Sequence, residues 1–236
     1  MAHPDTDEVV RLDPTTGRVV ARIKLDPLSF QVAPGDRRFL PSLVAVGAGA
    51  GWVATGRGAV ARIDLASNRV VAVIKLPPAS PAGIAVAGGS VWVAAGGDGL
   101  ARIEAATNRL LGTIRLDLYA ERVAVGGGAL WVGGPTTDPI VEVAGAVARI
   151  DAATGRVRAV VPTGLPVGLA ATAGAVLVTE PDTVGGALEC IQPGAAPAAM
   201  SLQPALGELA VGGGAVWVAD RRGSLVYRLD PDRLPC

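Results

Sequence analysis

The chain has 236 residues, of which 50% are hydrophobic and only 3% aromatic, and its 21 basic and 21 acidic residues leave no net charge at neutral pH. This balance excludes a recognition mode that relies on bulk attraction to nucleic acid or to an anionic membrane surface. The length is enough to bury a substantial core, and the 32 glycines and 18 prolines indicate many turns.

The dominant feature of the sequence is a repeat of about 40 residues. Four tryptophans in V-W-V-like runs, with one leucine in the same place, recur at spacings of 40, 39, 46 and 40 residues: Trp52, Trp92, Trp131, Leu177 and Trp217. Each repeat contains four short apolar runs separated by turn residues. Units of this length with four strands are typical of the blades of a β-propeller. We therefore predict an all-β chain of four-stranded antiparallel blades.

In chain order, residues 1–7 are polar and predict a disordered tail, and residues 8–25 contain only the third and fourth strands of a unit. Residues 26–41 form the longest segment outside the repeat before the first full unit. Full units lie near residues 42–76, 82–116, 120–162 and 166–203, and a last unit near 206–236 ends after its third strand. Because a single blade cannot bury its own faces, the repeat predicts one domain over residues 1–236.

The two incomplete ends predict a five-bladed ring closed by the N-terminal strand. Arg18–Ile23 is expected to add as the outermost strand beside Ser224–Leu229, because an uncovered sheet edge promotes aggregation. The alternative is a fragment of a six- or seven-bladed propeller, in which the N-terminal pair is the remnant of another blade.

Three patterns recur at fixed places in the unit. The turn after the third strand opens with an acid, and its fifth residue is of a type that tolerates left-handed backbone: Gly17, Asn68, Asn108 and Gly155. Each tryptophan is predicted to pack between blades with its N–H bonded to a carbonyl oxygen. The arginine of the recurrent R-I-D pattern is predicted to be a solvated charge at the outer edge of a blade.

The two cysteines, Cys190 and Cys236, belong to no C-x-x-C motif or Cys/His cluster. A disulfide between them and a pair of free thiols are both compatible with the repeat. The N-terminus has no basic start followed by an apolar core, and no apolar run is long enough to span a membrane, so we predict neither a signal peptide nor a transmembrane segment.

Candidate binding residues lie in the segments that deviate from the repeat. The loops from the second to the third strand and from the fourth strand to the next unit share one end of a propeller, here named the loop face, and the short standard turns lie at the other end. Rigid scaffolds place functional residues on such loops, so we expect a ligand at the channel mouth on this face. The candidates are Arg57, Asp98, Asp138, Glu142, Glu180, Asp182, Asp220 and Arg221.

The sequence predicts no catalytic residue, no metal ligand and no cofactor. Clustered acids suit Ca²⁺ or Mg²⁺, but no D-x-D-x-D-G spacing is present. The leading hypothesis is a non-enzymatic binding module that presents the loop face to a protein, peptide or glycan, with no nucleic acid partner and no membrane insertion. The alternatives are a lyase or glycoside hydrolase that uses paired carboxylates at the channel mouth, and a structural segment of a larger sensor or envelope protein.

The repeat resembles the YVTN-type bacterial β-propeller repeats and is similar to those of the virginiamycin B lyase group. The G-x-A-V, G-G-G and V-W-V-A runs and the R-I-D-x-x-T-G-R-V-V-A-x-I pattern carry this resemblance from Glu8 onwards. It implies a bacterial propeller that is exported or associated with the cell envelope. The lyase group implies a magnesium-dependent elimination with a catalytic histidine. The single histidine here is His3, in the N-terminal tail, so this mechanism is not expected.

Overall fold

The computed structural model describes residues 2–3, 8–25, 41–55, 58–77, 81–97, 99–137, 145–181, 186–202, 205–223 and 225–236. These residues form antiparallel β-sheets, and the helical structure among them is one 3-10 turn at Pro231–Arg233. No helix in this part of the chain is long and apolar enough to cross a membrane. The chain divides into two compact units, Met1–Ile114 and Arg115–Cys236.

The first unit contains three sheets, numbered here in chain order. Sheet 1 consists of β1 (Ala2–His3), β2 (Glu8–Leu12) and β3 (Val19–Lys24). Sheet 2 consists of β4 (Pro41–Gly47), β5 (Ala50–Thr55), β6 (Ala59–Asp64) and β7 (Arg69–Lys75). Sheet 3 consists of β8 (Gly83–Ala87), β9 (Ser90–Ala94), β10 (Leu100–Glu104) and β11 (Arg109–Ile114).

The second unit contains three further sheets with the same up-and-down strand order. Sheet 4 consists of β12 (Arg122–Gly126), β13 (Ala129–Pro135), β14 (Gly145–Asp151) and β15 (Val157–Thr163). Sheet 5 consists of β16 (Gly168–Ala171), β17 (Val176–Pro181), β18 (Gly186–Ile191) and β19 (Ala198–Leu202). Sheet 6 has three strands, β20 (Leu206–Gly212), β21 (Ala215–Asp220) and β22 (Val226–Leu229).

Neighbouring sheets of the first unit pack through two different faces, because alternate side chains of a strand point to opposite sides. In sheet 2, Trp52 and Val60 lie on what we call the tryptophan face, which packs against the Val91 side of sheet 3. Val53 and Ile63 lie on the opposite valine face, which packs against sheet 1. Strands buried on both faces explain the nearly continuous apolar runs of the sequence.

The second unit repeats this arrangement. The tryptophan face of sheet 4, with Trp131, packs against Val176 and Val178 on the valine face of sheet 5. The corresponding face of sheet 5, with Leu177, packs against sheet 6, where Val216 is buried.

The turns between third and fourth strands have the predicted geometry. The fifth residue of each predicted turn has a left-handed backbone: φ is 68° at Gly17, 54° at Asn68, 60° at Asn108 and 76° at Gly155. The opening carboxylates of Asp13, Asp64 and Asp151 accept backbone N–H groups of their own turns. These hydrogen bonds hold the pKa values of the three carboxyl groups below their ordinary range, and a bond from Arg158 is the largest contribution at Asp151.

The arginines of the R-I-D pattern have a role that the prediction of solvated edge charges missed. The Arg62 guanidinium lies 5.4 Å from the Trp52 ring centre, and its Nη1 donates to the Ala105 carbonyl at 3.1 Å and to Asn108 Oδ1 at 2.9 Å in sheet 3. Arg11 of sheet 1 donates in the same way to the Asn68 turn of sheet 2. At Arg11 and Arg62 the pattern therefore joins successive sheets instead of only shielding an edge.

The two ends of the chain also differ from the predictions. Ala2–His3, expected to be part of a disordered tail, pairs with Glu8–Val9 of β2. The expected partner of Arg18–Ile23 was Ser224–Leu229, but β3 pairs with β2, and β22 pairs with β21. The N-terminal strands thus form a hairpin with its own packing face, and the predicted N-terminal closing strand is not confirmed.

Cys190 and Cys236 form a disulfide with a Cα–Cα distance of 5.5 Å. Cys190 is buried in β18, and Leu234 packs with the core between sheets 5 and 6. The last residues of the chain therefore return to sheet 5 after β22. Sequence spacing alone left this pairing open because two cysteines 46 residues apart do not fix a tertiary contact.

Candidate functional site

Three of the eight predicted site residues fall within the described part of the chain. Glu180 lies near the end of β17 and Asp220 ends β21, so both occupy the same place in the repeat, three residues after Leu177 and Trp217. Arg221 follows directly. Both strands end towards the loop face. The remaining candidates lie outside the described residues: Arg57, Asp98, Asp138, Glu142 and Asp182.

Glu180 binds the loop that joins sheets 4 and 5. Its Oε1 accepts the backbone N–H of Gly164 at 2.7 Å. A Cβ at Gly164 would lie 2.6 Å from Glu180 Oε2, so a larger residue here would require the Glu180 carboxylate to move. Thr179, the residue before, is fully buried and donates to the Gly207 carbonyl at the start of sheet 6. The first contact fixes the loop before sheet 5, and the second holds the loop-face end of sheet 5 against sheet 6.

Glu180 also interacts with a second glutamate that the sequence analysis did not single out. Glu189 of β18 pairs with Val178 and lies diagonally opposite Glu180 on the same face of sheet 5. Burial, then the charge of Glu180 and a hydrogen bond with it, raise the pKa of Glu189 to about 7. Glu189 Oε2 is buried and has no hydrogen-bond partner among the described residues. Near neutral pH, Glu189 can therefore hold a proton and donate it to Glu180.

An alignment of the repeats contains the signal that would have found Glu189. The position opposite the valine after the tryptophan is alanine in three complete sheets, namely Ala61, Ala101 and Ala148. All three alanines are buried. In sheet 5 this position is Glu189, so a carboxyl group replaces the small apolar side chain that the other repeats bury there. A departure of this kind from the repeat pattern marks a candidate functional residue.

Asp220 has a mainly structural role in the geometry observed. Its Oδ1 accepts the backbone N–H groups of Arg222 at 2.8 Å and Gly223 at 3.1 Å, which closes the turn after β21. These bonds hold the pKa of Asp220 below its ordinary value. Arg221, the residue after Asp220, has an exposed side chain, and its backbone N–H donates to the Ala205 carbonyl. Of the three candidates, Arg221 is therefore the one whose charged group is available to a partner.

The structure brings Glu180 together with Glu189, but it does not place Asp220 in that pair. No group of three or more histidine, cysteine or acidic residues that could hold a metal ion occurs in the described residues. In this arrangement, Glu189 can donate a proton to Glu180, and Glu180 holds the Gly164 loop.

A second feature not predicted from the sequence is the uncovered tryptophan face of sheet 6. Trp217 is 40% exposed, whereas Trp52 and Trp92 are fully buried and Trp131 is 3% exposed. Val226 on the same face is 66% exposed. The prediction that every tryptophan packs between blades is therefore not confirmed for Trp217, because neither sheet 4 nor sheet 5 of the same unit covers this face.

Solved structures establish the fold class. The chain matches BamB from Moraxella catarrhalis with a TM-score of 0.61 and 15% identity, over 98% of this chain and 66% of that one. It matches a chain of the mitotic checkpoint complex with a TM-score of 0.71 and 12% identity, over 95% and 69% of the two chains. The computationally designed Ika8 protein gives a TM-score of 0.68 and 12% identity, over 94% and 65%.

These similarities show that the chain has a β-propeller fold. BamB and the matched chain of the checkpoint complex are β-propellers, and the four-stranded sheets are consistent with a five-blade arrangement. The chain spans about two thirds of the length of the solved structures it matches. No protein-family model matches the chain, and no curated protein matches it in sequence. The resemblance to YVTN-type and virginiamycin B lyase-like repeats is therefore not confirmed.

Proposed function

We propose that the protein is a non-enzymatic interaction scaffold that presents its loop face to a protein, peptide or glycan. The observation that carries the proposal is the anchoring of this face. Glu180 bonds the Gly164 loop, Thr179 bonds Gly207, and Asp220 closes its own turn. Loops fixed in this way present neighbouring side chains such as Arg221 with little loss of conformational entropy on binding. The propeller neighbours, one from a multiprotein complex, support the same function.

We propose in addition that the repeat is of the YVTN type and that residues 1–236 form a single propeller domain. The V-W-V and R-I-D patterns support the first point, and the recurrent packing of tryptophan faces on valine faces supports the second. The Cys190–Cys236 disulfide supports an exported or envelope location, because disulfides persist in oxidising compartments.

The loop face can be tested with two matched arginine substitutions. Arg221→Glu reverses a charge on the loop face, and Arg156→Glu reverses a charge that is also exposed, on a turn at the opposite end. On peptide and glycan arrays, we expect Arg221→Glu to weaken the wild-type signals at least tenfold and Arg156→Glu to change them less than twofold. Signals that follow Arg156, or an array with no specific signal, would contradict the proposal.

A carboxylate-based lyase is the second candidate, because a glutamate with a pKa of about 7 can act as a general acid or base near neutral pH. The test is turnover of uronate-containing polysaccharides, followed as absorbance of the unsaturated product. Activity in the wild-type protein that is lost in both Glu180→Gln and Glu189→Gln would favour the lyase.

A further inference from the structure

The loop that joins sheets 4 and 5, residues 164–167, is held by two different kinds of hydrogen bond. At its end, the Val167 N–H donates to the backbone carbonyl of Thr179 at 2.9 Å. At its start, the Gly164 N–H donates to the side-chain Oε1 of Glu180 at 2.7 Å. Of these two bonds, the second has an acceptor that titrates. The two ends of one loop can therefore respond differently to pH.

The start of this loop lies between sheets 4 and 5. A Cβ at Gly145 of β14 would overlap the Gly164 carbonyl and the ring of Pro166, and a Cβ at Gly133 of β13 would lie 3.4 Å from Pro166. The Thr163 hydroxyl donates to the Gly164 carbonyl at 2.9 Å. The loop therefore packs against sheet 4 on one side, and the bond to the Glu180 side chain ties it to sheet 5.

The carboxylate that accepts the Gly164 N–H has a second carboxyl group beside it. In the register of β17 and β18, Glu180 is opposite Ala187 and Glu189 is opposite Val178, so the two glutamates are diagonal neighbours on one face. Glu189 Oε2 is buried and has no hydrogen-bond partner among the described residues. With both groups ionised, this oxygen is unpaired and two like charges are adjacent. A proton on Glu189 removes both penalties, because the group then donates to Glu180.

The charged groups of sheet 4 that face sheet 5 in the described part of the chain have other partners. Arg122 of β12 donates to a backbone carbonyl of the loop and pairs with a glutamate of sheet 6. Arg149 of β14 lies over the tryptophan ring of its own sheet, and Asp151 is bonded by Arg158 at the turn end. The other two strands of sheet 5, β16 and β19, contain no charged residue. Burial and Glu180 therefore determine the pKa of Glu189, which they raise to about 7.

Loss of this proton should move Glu180 more easily than Glu189. Glu180 is the residue before the last in β17, at the loop face, and is half-buried. Glu189 lies within β18, between the buried residues Leu188 and Cys190. Rotation of the Glu180 carboxylate into water separates the two charges without disturbing the core. The same rotation removes the acceptor of the Gly164 N–H.

We propose that Glu180 and Glu189 form a pH-sensitive latch that holds the Gly164 loop in acidic and neutral solution and releases it in mildly alkaline solution. The latch needs no partner and is tested without one. Its effect on binding rests on the proposed function of the loop face. A failure of the latch would leave a loop face that binds independently of pH, and a failure of binding would leave the latch unaffected.

Amide hydrogen exchange of the ¹⁵N-labelled full chain, followed by NMR at about pH 5.5 and about pH 8.5, measures the latch directly. The protection factor, which is the intrinsic exchange rate divided by the observed rate, removes the ordinary effect of pH on exchange. We expect the protection factor of the Gly164 amide to fall at least tenfold between the two conditions. That of the Val167 amide, whose acceptor is a backbone carbonyl, should change less than twofold. A constant value at Gly164, or equal falls at both amides, would overturn the proposal.

Two glutamate substitutions provide matched variants. Glu189→Gln keeps a donor for Glu180 but has no proton to lose, so the protection factor of Gly164 should change less than twofold with pH. Glu104→Gln removes a carboxylate from a turn of sheet 3 and should retain the fall of at least tenfold. A fall that persists in Glu189→Gln would assign the pH response to another group and overturn the proposal.

The wild-type protein gives a second measurement that requires no variant. The amide proton shift of Gly164 and the side-chain carboxyl ¹³C shift of Glu189 should titrate together, with midpoints near pH 7. Midpoints that differ by more than about one pH unit would show that Glu189 does not control the loop.

Discussion

Trp92 in sheet 3 and Trp217 in sheet 6 have the same local contacts but different burial. The Trp92 Nε1 donates to the Ala87 carbonyl at 3.2 Å, and the Trp217 Nε1 donates to the Gly212 carbonyl at 3.1 Å. An arginine lies over each ring, 4.9 Å from the centre of Trp92 and 6.0 Å from that of Trp217. Nevertheless, Trp92 is fully buried and Trp217 is 40% exposed.

The comparison separates two contributions of the V-W-V motif. The hydrogen bond and the arginine contact come from neighbouring strands of the same sheet and need no other sheet. Burial needs more than these contacts: the tryptophan face of sheet 2, for example, is buried because sheet 3 packs against it. The local conformation is therefore encoded within each repeat, whereas the stabilisation by burial depends on the next repeat.

Substitution of the two tryptophans should give the largest difference. We expect Trp92→Ala to lower the free energy of unfolding by about 3–5 kcal/mol, because it opens a cavity in a closely packed core. Trp217→Ala should cost about 1–2 kcal/mol, since part of the ring is already in water. Chemical denaturation followed by circular dichroism measures both. Equal losses would show that Trp217 is covered in solution.

Loss of the disulfide should have the next largest effect and should act mainly on sheet 6. The 46-residue separation gives a loop-closure contribution of about 4 kcal/mol in the chain-entropy description, and measured values are commonly 2–4 kcal/mol. We expect Cys236→Ser to lower the free energy of unfolding by about 3 kcal/mol. Hydrogen exchange should increase first in β20–β22.

A reducing agent provides the control for this prediction. It should lower the melting temperature of the wild-type protein and leave that of Cys236→Ser unchanged. A wild-type melting temperature that does not respond to reduction would contradict the contribution assigned to the disulfide.

The repeat allowed the strands to be predicted well, because glycine turns and V-W-V runs act locally. The left-handed residues Asn68 and Asn108 were predicted correctly for the same reason. The pairing partner of β3 was not predicted correctly, because the hydrophobic pattern does not determine which sheet edge a terminal strand joins. Glu189 was missed because its environment depends on the diagonal contact with Glu180 and on packing between sheets. The five candidates outside the described residues stay predictions.

The pH dependence of stability should identify the contribution of Glu189. Its pKa is raised from an ordinary 4.5 to about 7 in the folded chain. The stabilising contribution of the protonated group is therefore complete below pH 4.5 and is lost as the pH rises towards 7. Allowing for solvent screening, we expect a loss on the order of 1–2 kcal/mol. Glu189→Gln should remove this part of the pH dependence in thermal melts between pH 4.5 and 8.

Glu189→Ala restores the residue that the other complete sheets carry. It should raise the melting temperature at pH 8, where the wild-type carboxylate is charged and near Glu180. A variant that melts below the wild-type protein at pH 8 would show that the carboxyl group stabilises the sheet at that pH.

The smallest expected effect concerns the arginines that join successive sheets. Arg62 donates to Ala105 and Asn108 of the next sheet, whereas Arg228 of sheet 6 is exposed and lies over the Trp217 ring. Hydrogen bonds from a charged group contribute about 1.5–3 kcal/mol when buried and less when partly exposed. We expect Arg62→Ala to lower the free energy of unfolding by about 1 kcal/mol and Arg228→Ala by less than about 0.5 kcal/mol in the same denaturation assay.

Asn108→Gly keeps the left-handed turn but removes the acceptor of the Arg62 hydrogen bond, so it should reproduce part of the Arg62→Ala loss. The loss of stability in the double variant should be smaller than the sum of the two single losses. If Arg228→Ala costs as much as Arg62→Ala, then Arg228 already has a partner sheet in solution, and the difference between Trp92 and Trp217 would have to be reinterpreted.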